Sequence, residues 1–199
     1  MNTLVSVNNL SKNFSSFEAV KKISFSINES EIIGLLGPNG CGKTTTSGRM
    51  LGLLKPTSGE VIINGLNVEK NRINLLKKMN FISPYIELPK KLTVKENLMV
   101  YGKLYSVNGI NNRIDYLAET LRLNEFINKK TGELSSGQKN RVSLAKAVVN
   151  DPDILLLDEP TASLDPETGD FVRTFIEKIS SEKKMSILLA SHNLSLIHI

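Results

Sequence analysis

At 199 residues, 40% of them apolar and 23% charged, the chain is sized for one globular domain, with or without a small inserted lobe. Its longest apolar runs, such as ILLL at 154–157, fall far short of the roughly 18–20 residues of a spanning helix. The net charge of +5 is dispersed over lysine pairs (21–22, 77–78, 90–91, 129–130, 183–184), so a solvated basic surface is expected and a nucleic-acid partner is not. The opening MNTLVSVNNLSK has no secretory-leader pattern. One Cys and two His argue against a disulfide or structural zinc, which makes a reducing cytoplasm the expected compartment.

In chain order, short β-type stretches come first, at residues 4–7 and 23–27. The next, 32–36, is fully apolar, as expected in a sheet covered on both faces. GPNGCGKTT then reads as a glycine-rich turn opening a helix: Gly37, Gly40 and Gly42 permit tight backbone, and Lys43, Thr44 and Thr45 begin the helix. The spacing G-x-x-x-x-G-K-[ST] surrounds phosphates with backbone N–H groups at a helix N-terminus. Lys43 then reaches the β- and γ-phosphates, and the Thr44 hydroxyl meets Mg²⁺. Its four fixed positions would arise by chance in under roughly 1% of chains this long. A nucleoside triphosphate site is expected here.

A strand at 61–63 comes next, and then a helical stretch over 93–131. Thr93 and Glu96 stand at capping-box spacing, with apolar residues three and four apart in TVKENLMVYGKLY. ELSSGQKNRVSLAKAVV repeats the device with Ser135 and Gln138, and Val142, Ala145, Val148 and Val149 mark its apolar face. On spacing alone, that segment is a well-capped amphipathic helix. DPDILLLDEPTASLDP turns into an apolar strand at 154–157 that delivers Asp158 and Glu159 to its C-terminal end, where α/β sheets bind ligands. Asp158 suits direct or second-sphere contact with Mg²⁺, and Glu159 suits polarising a water aimed at a γ-phosphate. Asp165 caps the next helix with Pro166 in its first turn, and a last strand is expected at 187–190. No repeat or Gly/Ser/Pro linker divides the chain, so 1–199 reads as one α/β domain with a helical part inserted at about 85–148.

In this order the motifs resemble the ATP-binding subunit of an ABC transporter, over essentially the whole chain. GPNGCGKTT (Gly37, Pro38, Asn39, Gly40, Cys41, Gly42, Lys43, Thr44, Thr45) is similar to that family's Walker A loop. LSSGQ, with Ser135, Ser136, Gly137 and Gln138, resembles its signature motif, and ILLLDEP its Walker B strand with Glu159 as the catalytic carboxylate. SLD at 163–165, ending in Asp165, resembles the D-loop. His192 matches the switch histidine, and Phe14 lies where the family stacks an aromatic on adenine. KPTSGEVIINGLNV and LTVKENL are similar to the family as well.

The resemblance implies a P-loop NTPase core: a mostly parallel sheet flanked by helices, with an antiparallel β part near the N-terminus and an inserted helical subdomain. It implies ATP and Mg²⁺ as ligands, with Thr44 and Asp158 at the metal. Two such domains would sandwich two ATP molecules, each signature loop completing its partner's site. Hydrolysis would open the dimer and move a membrane-spanning permease, placing the chain on the cytoplasmic face of the membrane. The ENL…YGKLY lobe is similar to exporting branches, but substrate and direction belong to the permease. A ribosome- or DNA-acting relative would bring tandem domains or a coiled coil, and a small phosphate-loop kinase would lack LSSGQ and SLD.

Two departures stand out. The first Gly of the signature is Ser136, which leaves the backbone donors in place. The family's Q-loop Gln, which would fall near Pro84 in NFISPYIELPKKLTV, is absent, and Gln138 is the chain's only Gln. Water or Ser83 is the expected substitute. Tyr85, Ile86 and Leu88 lie in the stretch that faces the permease in the family, and they suit an interface or the core of the lobe alike. His192, just after the strand at 186–190, is expected beside Glu159. LSLIHI is also what a common sequencing-library adapter encodes in one frame. A truncated gene fragment is therefore expected, with the flank of the 186–190 strand uncovered.

Overall fold

The computed structural model describes residues 2–84, 86–162 and 164–192; Met1, Tyr85, Ser163 of the SLD motif and residues 193–199 lie outside that set. In chain order the strands are β1 (Thr3–Phe14), β2 (Phe17–Asn28), β3 (Ile32–Leu36), β4 (Ser58–Ile63), β5 (Leu66–Asn67), β6 (Met79–Ile82), β7 (Ile154–Asp158) and β8 (Ser186–Ser191). The helices are α1 (Lys43–Met50), α2 (Val68–Leu76), α3 (Val94–Leu104), α4 (Ile110–Thr120), α5 (Ser136–Val148) and α6 (Pro166–Lys183). An antiparallel sheet has the order β2-β1-β4-β5, and a parallel sheet has the order β3-β8-β7-β6.

Because side chains alternate across a strand, the apolar run of β7 feeds two cores. Leu155 and Leu157, with Ile187 and Leu189 of β8, pack among residues of α3 to α6. Ile154, Leu156 and Leu188 pack with Met50 of α1, Val68 and Leu75 of α2, and Val5 and Val7 of β1. Each such burial is worth about 1.5–3 kcal/mol, so a four-residue run anchors the middle of the fold.

The caps form as their spacing predicts. Thr93 Oγ1 accepts from Glu96 N at 3.1 Å while Glu96 Oε2 accepts from Thr93 N at 2.7 Å. Ser135 and Gln138 make the same reciprocal pair at 3.3 and 3.0 Å. Asp165 accepts from Thr168 N at 2.9 Å and from Thr168 Oγ1 at 2.7 Å, and Pro166 sits in the first turn of α6. Val142, Ala145, Val148 and Val149 are all buried, as their helical spacing requires.

One expectation is overturned. The strand at 186–190 has no uncovered flank: β8 lies between β3 and β7, and every residue in it is buried. Among the described residues, the edges of this sheet are β3 and β6; in β3, Leu36 is 38% exposed and the other Ile and Leu residues are half-exposed. The reason is topological. The apolar runs of β3 and β8 look alike in sequence, and only the pairing order decides which is interior.

Candidate nucleotide site

Three parallel strands, β3, β7 and β8, end at the same edge of the sheet, and the residues at and just beyond those ends build the site. After β3, the chain passes through residues 37–42 into α1. Gly42 closes that turn at φ +96°, and a Cβ there would stand 2.3 Å from Ala19 O, so only glycine fits. Lys43 is nearly buried and donates from Nζ to Gly37 O at 2.6 Å and Pro38 O at 3.1 Å. Its ammonium is also 3.8 Å from Glu159 Oε1. Thr44 Oγ1 donates to Asp158 Oδ2 at 2.7 Å, linking the start of α1 to the buried end of β7.

Glu159 leaves β7 in the left-handed region, φ +50°, and its N–H donates to Ala190 O at 2.8 Å. Three groups from the end of β8 hold its carboxylate. Ser191 Oγ donates to Oε2 at 3.2 Å, His192 N donates to Oε1 at 2.9 Å, and His192 Nδ1 lies 2.7 Å from Oε1.

These groups open onto a cleft of about 450 Å³ lined by Asn39, Gly40, Gly42, Lys43, Thr44, Thr45, Asp158 and Glu159, with Phe14 and Phe17 at its far side. Gly37, Pro38 and Cys41 complete the loop from outside the lining, and His192 reaches the cleft through Glu159. Phe17 is the residue that motif reasoning missed. It pairs across the β1–β2 hairpin with Phe14, a proximity legible in the spacing FSSF once that turn is recognised. Phe14 is 45% and Phe17 60% exposed, and Lys12 Nζ sits 4.8 Å from the Phe14 ring centroid.

Ser135, Ser136, Gly137, Gln138 and Asp165 do not join this cleft. They line a separate one of about 680 Å³, together with Arg122 and Arg141. Ser83 and Pro84, where the Gln is missing, border a third cavity of about 230 Å³ that also touches Asp158, Glu159 and Asn140. Ile86 is exposed, whereas Leu88 packs against the core formed with α3 to α6. The stretch expected at the permease face thus divides between surface and core.

The ABC transporter family model matches residues 20–162. This chain belongs to the ABC transporter family. It is 36% identical over 198 residues to the bacitracin transport ATP-binding protein BcrA of Bacillus licheniformis, covering 98% of this chain and 63% of BcrA. It is 34% identical over 178 residues to the ABC transporter ATP-binding protein NatA of Bacillus subtilis, covering 88% of this chain and 72% of NatA. The chain therefore spans a little under two thirds of the length of BcrA. Among solved ABC cassettes, dimeric MJ0796 superimposes with a TM-score of 0.89 at 26% identity, over 98% of this chain and 90% of that one. A post-hydrolysis MJ0796 dimer bound to ADP and Pi gives 0.87 at 27% identity, over 97% and 90%. The fold is that of the P-loop NTPase core of ABC cassettes, with its parallel sheet, flanking helices and antiparallel sheet.

Proposed function

We propose that the chain is the ATP-binding and ATP-hydrolysing part of a transporter, acting on a membrane-spanning permease from the cytoplasmic face. The observation that carries this reading is the convergence of Lys43, Thr44, Asp158 and Glu159 on one cleft. Backbone N–H groups at the start of α1 and the Lys43 ammonium take the β- and γ-phosphates. Phe14 and Phe17 take the face of the base. A hydroxyl and a single carboxylate are hard oxygen donors, and Mg²⁺ accepts such a pair when phosphates and water fill its remaining positions. Thr44 and Asp158 fit that ion. When bound, it neutralises charge on the phosphates. Glu159 accepts the proton of the attacking water, and His192 keeps that carboxylate in place at the γ-phosphate end.

In this reading Ser135, Ser136, Gly137, Gln138 and Asp165 complete the site of a second ATP-binding domain, identical or different, across a dimer. The dimeric MJ0796 cassettes support that arrangement. In the same reading the chain is a single ATP-binding domain, with a helical subdomain at about 85–148. A groove of about 540 Å³ lined by the exposed Leu53, Ile73, Ile86 and Leu104 suits the permease, and contiguous exposed apolar surface of this kind marks partner sites. No described helix is long and apolar enough to cross a membrane, and the permease supplies the spans.

ATP binding and turnover by the purified chain test the reading. Lys43→Ala is expected to abolish binding. Glu159→Gln is expected to keep binding and to slow hydrolysis by roughly 10²–10⁴-fold, the range for losing a positioned base. Equal turnover in wild type and Glu159→Gln would remove the assignment of Glu159.

A further inference from the structure

Glu159 combines two uncommon features: a left-handed backbone in a residue with a long side chain, and a proline immediately after it. Such conformations persist only where the surroundings over-determine them. Two of the restraints are backbone bonds, Glu159 N to Ala190 O at 2.8 Å and Ala162 N to Glu159 O at 3.1 Å. The third comes from a different element. Asn140 Nδ2, on the second turn of α5, donates to Pro160 O at 2.8 Å.

Pro160 is buried, and Asn140 Oδ1 has no hydrogen-bond partner among the described residues, so the amide is oriented through its nitrogen alone. Asn140, Glu159 and Pro160 also share the walls of one cavity. One turn earlier, α5 meets the first turn of α6: Gly137 lies close enough to Thr168 that an added Cβ would stand 3.3 Å from Thr168 Oγ1. The helix that begins at the LSSGQ cleft thus touches both the peptide just after Glu159 and the start of α6.

We propose that Asn140 is a positioning residue for ATP hydrolysis, fixing the peptide after Glu159 and tying the Glu159 carboxylate to the position of α5. The proposal rests on Glu159 serving as the base for the attacking water. With the Nδ2 bond in place, a displacement of α5 is transmitted through Pro160 to the strained residue beside it. Without it, the backbone at Glu159 relaxes and the carboxylate drifts from its aim. A displacement of that size acts on turnover far more than on binding, because phosphate contacts from the loop and α1 do not involve Pro160.

The test is steady-state ATP hydrolysis, ATP affinity and thermal unfolding for the purified chain. Asn140→Asp places a carboxylate opposite Pro160 O in the same volume. It is expected to lower kcat about tenfold or more with KM for ATP within about twofold of wild type. Asn140→Gln retains an amide donor and is expected to recover most of the loss. Adding Asn140→Asp to Glu159→Gln is expected to lower turnover no further, since both changes act through one carboxylate. Unchanged kcat in a folded Asn140→Asp chain overturns the proposal, as do independent, additive losses in the double variant or an equal loss of ATP binding. Should Asn140→Asp fail to fold, Asn140→Ser, whose hydroxyl is too short to span the gap, carries the same comparison. Low turnover in Glu159→Gln alongside a normal Asn140 series sinks only the role of Asn140; normal turnover in Glu159→Gln sinks the reading of Glu159 as well.

Discussion

The phosphate-loop cleft and the LSSGQ cleft are built in opposite ways. In the first, partners are distant in sequence: Thr44 meets Asp158 across 114 residues, and Glu159 meets His192 across 33. In the second, Ser135 bonds with Gln138 and Asp165 with Thr168, each pair within its own helix start. The first is a tertiary assembly whose groups already hold one another. The second is a pair of locally capped helix ends facing outward, with positive helix termini and two arginines beside them. A site that gathers its own groups can bind a ligand alone, whereas a surface that only presents helix ends is suited to complete something else.

Four experiments put that contrast to the test. The largest effect is expected at Cys41, which is exposed within the phosphate loop with its Sγ against Gly37. A bulky maleimide on this thiol should abolish ATP binding, and bound ATP should protect it. Full ATPase activity after complete modification would show that the loop tolerates bulk there. Next is Phe17→Ala, expected to weaken ATP binding about 5- to 150-fold if its ring carries the base, the range for losing one stacking platform. Isothermal titration beside Phe14→Ala decides which of the two rings dominates.

Smaller effects are expected in the other cleft. Ser135→Ala removes a cap worth about 1 kcal/mol and should lower the unfolding midpoint by about 2–4 °C, while ATP affinity of the single chain stays at the wild-type value. A shift in that affinity would mean the two clefts communicate within one chain. The smallest effect concerns Asp165. The Thr168 N–H, and then its hydroxyl, hold this carboxyl below its ordinary pKa. Its folded value lies under its unfolded one, so the stabilisation is complete above the ordinary carboxylate range and is lost as pH falls through the folded value. The melting difference between wild type and Asp165→Asn should therefore be constant down to about pH 5 and shrink below about pH 4. A difference that grows on acidification would contradict the cap.

The same contrast explains what was legible in the sequence. Features set within a few residues could be read directly: the glycine-rich loop, the apolar run ending in Asp158 and Glu159, and the three helix caps. Partners far along the chain were legible only through the family resemblance, as with Thr44 and Asp158 or Glu159 and His192, or not at all. β6 carries Asn80 in a buried position, which argues against a strand until its hydrogen bonds to Tyr105, Asn150 and Ala147 O are known. α2 has weak patterning and a non-helical Asn71 inside it (φ −123°). Phe17 joins the site only because the hairpin turns at Ser15 and Ser16. The separation of the two clefts, the central feature of the molecule, has no local signature at all.

The outer edge of β3 bears on how this molecule behaves at the bench. That strand leads directly into the glycine-rich loop, and its outward side, which pairs with no strand among the described residues, is flanked by half-exposed Ile and Leu. An edge of this kind templates another strand. Strand pairing between molecules in a concentrated sample would therefore restrain the loop that follows β3. Apparent nucleotide affinity and colloidal state would then move together, and a dilution series separates a property of the site from a property of the sample.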